Sequence, residues 1–269
     1  MIWTRRVALN GAQLDEVNSS IVIRGIETGA GKDTITAVST GAPFGQRITG
    51  ARRDTLDVAV RFAIDIKQRD LQGRSEVLEA VNAWAASAGI ERGGAWLTAG
   101  HRGERRIRVV LAQPAAEGDL WKWTDDFQIL FRAYGVPYWE GESKSISTDS
   151  ATGASGAVTI GGSAVTQINA YLQNTSGAMI SQAKITAAGK SMSFSQIDLG
   201  AAETLVIDHA DDGTLRLRIR NTGGSYRSIM AHRSPESADD FTAYPGTQVY
   251  SFSAQRACKL TVEWRDRYL

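Results

Sequence analysis

The chain has 269 residues, of which 42% are apolar and 22% charged, and its formal net charge at pH 7 is +1. This balance does not favour a disordered chain. Without a basic excess or an apolar run of about 18 residues, it favours neither nucleic-acid binding nor membrane insertion. The length exceeds that of most single domains, so we expect two domains of about 130 residues each.

Three short strands are predicted before residue 40; they lie within residues 1–10, 21–25 and 34–38. The loop Glu27–Asp33, between the second and the third, contains the Gly-Lys pair of a phosphate-binding loop. A Walker-type loop would need Gly at the place of Ile26 and Ser or Thr at the place of Asp33. We therefore interpret this loop as a hairpin turn.

The long strand Leu56–Ile66 is the strongest pattern in the chain, and the stretch Gly50–Thr55 leads into it. A period of two predicts one buried and one solvated face. The buried face would carry Leu56, Val58, Val60, Phe62, Ile64 and Ile66, and the solvated face Asp57, Arg61 and Asp65.

An amphipathic helix is predicted over Arg74–Ala88 and should end at Gly89. Its apolar stripe consists of Val77, Val81, Trp84, Ala85 and Ala88. We expect Trp84 to anchor this helix to the sheet. A long strand accompanied by a single helix favours a β-sandwich or split barrel with the helix laid over an open side.

Further strands are predicted at residues 95–98, 105–111 and 127–133, with a break at 113–118. Ser, Thr, Gly and Ala then dominate residues 141–163, which predicts a linker or an exposed strand at a domain boundary. We place the two domains at residues 1–142 and 143–269.

The second half predicts eight short strands with turn residues between them and no helix, which indicates an all-β sandwich or jelly roll. They lie at residues 157–160, 168–172, 180–185, 192–197, 204–207, 215–219, 249–252 and 260–264. In the sixth strand Leu215, Leu217 and Ile219 should face the core, while Arg216, Arg218 and Arg220 point to water or to a partner.

The chain has few residues of the types that act in catalysis or bind metal ions. The single cysteine, Cys258, excludes an internal disulfide, and it lies in phase with apolar neighbours, so we expect it to be buried. The three histidines lack metal-ligand spacing, and Asp208 and His209 would point to opposite faces of a strand. We predict no catalytic residue, no metal site and no cofactor.

The order of these segments resembles the distal tail protein family of long-tailed, non-contractile phages. In the N-terminal half the resemblance rests on Gly50–Thr55 before the long strand, on Ala83-Trp84-Ala85 and on Pro137–Glu140. In the C-terminal half the segments that carry it are Asn174–Gly177, Leu205–Asp208, Tyr244–Gly246 and Leu260–Leu269, which look like the family's galectin-like domain.

The resemblance implies a mainly-β structural protein, with an N-terminal domain that closes a ring of six copies and a galectin-like C-terminal domain. The implied partners are the tail tube protein, the tail-tip or tail-associated lysin protein and receptor-binding proteins, at the distal end of the virion tail. Met1–Arg6 lacks the apolar core of a secretion signal, so we expect synthesis in the host cytoplasm. The candidate subunit-contact residues are Arg52, Arg53, Asp54, Asp57, Arg61 and Asp65.

Two other classes of function remain open. A carbohydrate-binding module would need an exposed aromatic platform, for which Tyr171, Tyr226, Tyr244 and Tyr250 are available without forming a cluster in sequence. A tail-associated hydrolase would need a convergent pair of acids, and the acidic residues of this chain lie in separate loops.

Overall fold

A computed structural model describes residues 6–29, 32–39, 46–67, 70–100, 104–116, 126–210 and 213–268, with the backbone alone for 32–39 and 46–54. The chain divides into two compact units, Met1–Trp139 and Glu140–Leu269, called here the N-terminal and the C-terminal unit. The boundary expected after residue 142 falls inside the strand Trp139–Ser150.

Antiparallel strands make up most of the N-terminal unit. They are β1 (Arg6–Leu9), β2 (Ala12–Gln13), β3 (Ile21–Thr28), β4 (Lys32–Ser39), β5 (Gln46–Thr55), β6 (Asp57–Ile64), β7 (Ala95–Gly100), β8 (Glu104–Gln113) and β9 (Phe127–Ala133). The main sheet has the order β2-β1-β7-β8-β9-β6-β3, and β4 pairs with β5. Helical segments are α1 (Leu14–Val17), α2 (Leu71–Ala86) and a 3-10 turn, Ile90–Arg92.

The β6 strand confirms the predicted alternation on its inner face. Leu56 and the four even-numbered residues from Val58 to Ile64 are buried, whereas Ile66 lies beyond the strand and is half-buried. The opposite face is less solvated than predicted, because Ala59 and Ala63 are also buried. Since β6 lies between β3 and β9, its neighbours cover these small side chains and leave only the charged positions in contact with water.

The α2 helix covers the inner face of the sheet. It starts three residues earlier than predicted because the carboxylate of Asp70 accepts a hydrogen bond from the Gly73 amide at 2.9 Å and caps the first turn. The Trp84 indole N–H donates to the Ala12 carbonyl at 2.9 Å, and its ring meets Phe131 edge-on with centroids 6.2 Å apart. The prediction that Trp84 anchors the helix to the sheet is confirmed.

The hairpin turn predicted at Glu27–Asp33 is wrong, because the strands on its two sides do not pair with each other. β3 pairs with β6 and β4 pairs with β5. The Gly29 amide still donates to the Asp57 carbonyl at 2.8 Å, which extends the β3–β6 ladder past the end of β3. Gly50–Thr55, which precedes the long strand in the sequence, forms the second half of β5.

The C-terminal unit is built from two sheets. Its strands are β10 (Trp139–Ser150), β11 (Gly153–Ile160), β12 (Thr166–Asn174), β13 (Ile180–Ala187), β14 (Lys190–Leu199), β15 (Thr204–His209), β16 (Leu215–Arg220), β17 (Tyr226–Ser228), β18 (Thr242–Ala243), β19 (Gly246–Ala254) and β20 (Cys258–Tyr268). One sheet runs β17-β16-β15-β12-β20 with β10 beside β20, and the other runs β11-β19-β13-β14. A 3-10 turn, Met230–His232, follows β17.

Both sheets of the C-terminal unit contribute to one apolar core, with Leu172 and Leu217 from the first sheet and Ile185 and Phe252 from the second. The all-β sandwich is therefore confirmed, and each of the eight predicted strands lies within an observed one. Of the two alternatives for the start of this half, the exposed strand is confirmed and the linker is wrong, because residues 141–150 belong to β10 and most of their side chains are exposed.

Candidate assembly surface

The outer face of the N-terminal sheet, opposite α2, carries the predicted contact residues Asp57 and Arg61. Both lie on β6, four residues apart and thus about 13 Å apart along the strand. Their neighbours on this face come from β3 and β9, which flank β6.

Arg61 lies between two carboxylates. Its Nη1 donates to Glu27 Oε1 at 2.8 Å, and its Nη2 donates to the Asp126 carboxylate. These hydrogen bonds, first that to Glu27 and then that to Asp126, raise the pKa of Arg61. Because two acids surround one guanidinium, this part of the surface carries a net negative charge.

A second ion pair joins Asp57 to Arg132, its direct neighbour across the β6–β9 ladder. Arg132 Nε donates to Asp57 Oδ1 at 2.9 Å, and Nη2 approaches Oδ2 at 3.4 Å. The hydrogen bond to Asp57 raises the pKa of Arg132. Both side chains remain substantially exposed, so the pair is available to a neighbouring subunit and contributes little to the stability of this one.

These five ion-paired residues, Glu27, Asp57, Arg61, Asp126 and Arg132, form the outer-face cluster. The other predicted contact residues are not part of this cluster. Asp65 lies just beyond β6, where its side chain is exposed and its amide donates to the Ser20 carbonyl at 2.7 Å. Arg52 and Arg53 pair through the backbone with Thr34 and Asp33 in the β4–β5 ribbon. Asp54 occupies the register shift of that ribbon, and the side chains of residues 52–54 lie outside the described part of the chain.

Sequence reasoning missed three members of the cluster: Glu27, Asp126 and Arg132. Arg132 could have been found, since it lies on the solvated face of the predicted strand 127–133. Glu27 was assigned to a turn, and Asp126 precedes its strand, so neither could be placed opposite Arg61 without knowledge of the pairing.

The residues considered for catalysis are buried or engaged in hydrogen bonds and ion pairs. Burial, followed by the charge of Arg267, lowers the pKa of His209 to about 4, and its Nδ1 lies 3.2 Å from Asn169 Oδ1. Asp208 instead binds Arg216, with 2.7 Å between Asp208 Oδ2 and Arg216 Nη2. Burial raises the pKa of the Cys258 thiol to about 11. A thiol of that pKa is protonated at neutral pH and is a poor nucleophile.

In the described ranges, His, Cys, Asp and Glu form no group of three or more that could hold a metal ion. Over the same ranges, no helix has the length and apolar character needed to cross a membrane.

No protein-family model matches the sequence, and no curated protein sequence matches it. Among solved structures, the crystal structure of Dit (gp 19.1) from phage SPP1 matches with a TM-score of 0.65 and 14% identity, over 100% of both chains. The chain has the fold of a phage distal tail (Dit) protein. The predicted resemblance and the mainly-β class are thereby confirmed at the level of the fold.

The Dit fold extends over both units of this chain, because the match covers its whole length. The SPP1 protein is described as a paradigm of the hub adsorption apparatus in phages that infect Gram-positive bacteria. Two structures of the phage P2 baseplate in its activated conformation, with Ca and with Sr, also match. Their TM-scores are 0.45 and 0.41, at 8% and 7% identity, over 93% and 91% of this chain and 91% of each baseplate chain.

Proposed function

We propose that the protein is a structural distal tail protein of a phage or prophage, without enzymatic activity, located at the distal end of the virion tail. The observation that supports this most directly is the full-length agreement of its fold with the SPP1 hub protein. Each unit would have its own role: the N-terminal unit would form a ring, and the galectin-like C-terminal unit would project from it.

A closed ring requires that two different surfaces of one subunit fit each other. The outer face of the N-terminal sheet suits one side of such a contact, since its exposed ion pairs can be shared or exchanged with a neighbour. The β4–β5 ribbon suits the other side, because it pairs with no other described strand. An isolated two-stranded ribbon is marginally stable in water, so packing against a second copy would stabilise it.

In this role the ring of six subunits joins the tail tube protein to the tail-tip or tail-associated lysin protein, and receptor-binding proteins dock farther out. The non-enzymatic part of the proposal is supported by the burial of Cys258, which keeps its thiol protonated at neutral pH.

Light scattering on the purified protein, with negative-stain images of the same fraction, tests ring formation. We expect a mass of about six subunits and closed rings in the images. A protein that stays monomeric both alone and when mixed with the purified tail tube protein would contradict the proposal.

The contact residues are tested by changing Arg61 and Asp65 together to Ala. We expect fewer rings at a given protein concentration with little change in the unfolding of the subunit, because exposed ion pairs contribute little to folding. The matched control changes Lys184 and Asp198, two exposed charges of opposite sign in the C-terminal unit. If the Arg61 and Asp65 variant assembles and unfolds as the wild type does, these residues are not subunit contacts.

A further inference from the structure

The outward face of the first C-terminal sheet carries a row of arginines on β16. Leu217 and Ile219 of this strand are in the core, so Arg216, Arg218 and Arg220 lie on the opposite face, as predicted. On β15, Val206 and Asp208 share that face and lie directly across from Arg218 and Arg216. Alternate residues of a strand are about 6.7 Å apart, so the arginines form a regular row.

The side chain of Asp208 fixes the first two arginines. Its Oδ1 accepts from Arg216 Nε at 3.2 Å, while its Oδ2 accepts from Arg216 Nη2 at 2.7 Å and from Arg218 Nη2 at 2.5 Å. The guanidinium of Arg218 also lies over the ring of Tyr226, 4.2 Å from its centroid. Two long side chains are thus held in one arrangement before any ligand arrives, which lowers the entropic cost of binding.

This arrangement leaves hydrogen-bond donors and positive charge uncompensated. Arg218 Nε is buried and has no hydrogen-bond partner among the described residues. A buried donor without a partner is uncommon in folded proteins. One carboxylate, Asp208, faces two guanidinium groups, and the third arginine, Arg220, is exposed next to Tyr226 across the ladder. The row therefore carries an excess of positive charge.

The surroundings of the row are polar and aromatic. Tyr171 lies across from Val206, and burial followed by the charge of Glu263 raises its pKa to about 12. Tyr226 is 49% exposed, which leaves ring surface for a ligand. Val206 is the aliphatic residue that faces outward from β15 or β16, and its side chain is buried. This part of the face therefore offers no exposed aliphatic surface.

We propose that this face binds an acidic saccharide. Its carboxylate, sulfate or phosphate group would accept hydrogen bonds from the terminal N–H groups of Arg218 and Arg216 that do not bind Asp208, and a sugar ring would pack against Tyr226. A protein partner fits less well, since protein interfaces are built around an apolar core that this surface lacks. A nucleic acid fits less well because the chain has a net charge of only +1. The inference does not depend on the proposed role in the tail.

The test is isothermal titration calorimetry of the full-length protein at physiological ionic strength. The probes are oligogalacturonate, which carries carboxylates, dextran sulfate, which carries sulfates, neutral dextran and polyglutamate. We expect at least one of the two acidic saccharides to bind, with dextran and polyglutamate at least about tenfold weaker.

Arg218→Gln should lower the affinity about tenfold or more, because it removes the charge and the terminal guanidinium donors. Arg220→Gln changes an exposed residue, so its folding should be unaffected, and it should show a smaller loss. Lys184→Gln removes one charge from the outer face of the other sheet and should bind as the wild type does. Thermal unfolding of each variant verifies that it is folded.

Four results would overturn the proposal: binding of neither acidic saccharide, equal binding of dextran, equal binding of polyglutamate, or an equal loss in Lys184→Gln and Arg218→Gln. Equal binding of polyglutamate would assign the face to an acidic polypeptide. An equal loss in the two variants would assign any binding to net charge alone.

Discussion

The amide of Asn174 holds one end of the C-terminal core together. The residue is fully buried, and its Nδ2 lies within 3.0 Å of the carbonyl oxygens of Ala178, Leu199 and Gly200. Its Oδ1 accepts from both the amide and the hydroxyl of Ser176. One side chain thus joins the turn after β12 to the end of β14, which explains a structural need for Asn at the start of the Asn174–Gly177 run.

We predict that Asn174→Ala lowers the free energy of unfolding by about 3 kcal/mol, because several buried polar groups lose their partner at once. Urea unfolding followed by circular dichroism measures the change. Gln173→Ala is the matched control, since the neighbouring side chain is exposed, and it should change stability by less than about 0.5 kcal/mol. A loss below about 1 kcal/mol in Asn174→Ala would show that water replaces the amide.

The lowered pKa of His209 predicts a pH dependence of stability. In the unfolded chain His209 takes up a proton near its ordinary pKa of 6.5, whereas in the folded chain it does so only near pH 4. Between these values the unfolded state binds more protons, so the free energy of unfolding falls as the pH falls from 6.5 to 4. The expected loss from this residue is about 2–3 kcal/mol at pH 4.

The measurement compares urea unfolding of the wild type and of His209→Gln at pH 7 and at pH 4. Carboxylates titrate in both proteins, so the difference between the two pH effects isolates the histidine. We expect the wild type to lose more stability than the variant. Equal losses would mean that His209 is protonated in the folded protein well above pH 4.

At the scale of the element, α2 depends on Trp84 for its attachment to the sheet. Trp84→Phe keeps an aromatic ring near Phe131 but leaves the Ala12 carbonyl without its donor. We predict a loss of about 1–3 kcal/mol in the free energy of unfolding, measured by urea unfolding. Glu79→Gln, on the exposed side of the same helix, should be neutral. A Phe variant as stable as the wild type would assign the attachment to Val77, Val81 and Ala85.

Strands and helices whose buried residues recur at a regular spacing could be predicted from the sequence. The alternation around β6 and the apolar stripe of α2 are set by local patterns, because each side chain's environment follows from its position in the element. The β10 strand has no such period, since Trp139 is its one buried residue, and its strand character depends on the neighbouring β20. The pairing of β3 with β6 was missed because strand partners are not local information.

In the candidate assembly surface, too, the sequence predicts which face a residue lies on but not which residues of other strands lie next to it. Asp57 and Arg61 could be assigned to a solvated face from the period of two alone. The partners of Arg61 could not be assigned, because Glu27 is 34 and Asp126 is 65 residues away in the sequence. Such charged neighbours are brought together by strand register, which the sequence pattern of a single strand does not contain.

At the scale of the whole molecule, the C-terminal unit has a complete core of its own, drawn from both of its sheets. We predict that residues 140–269 fold without the rest of the chain and unfold cooperatively in urea, with a free energy of unfolding of about 5–10 kcal/mol. Glu140 belongs in this fragment because its carboxylate binds Arg267 at 3.1 Å. A fragment with native-like far-UV but featureless near-UV circular dichroism would contradict this prediction.

The connectivity of the C-terminal unit also bears on how fast it folds. β20, the last strand of the unit, lies in the middle of a sheet and pairs Trp264 with Ile168, while β11 at the start of the unit pairs with β19 near its end. Such non-local pairing requires closure of long loops before contacts form, and it is typical of domains that fold in milliseconds to seconds. Until β20 is in place, the edge of β12 is unpaired, so newly synthesised chains are expected to be most prone to aggregation during that interval.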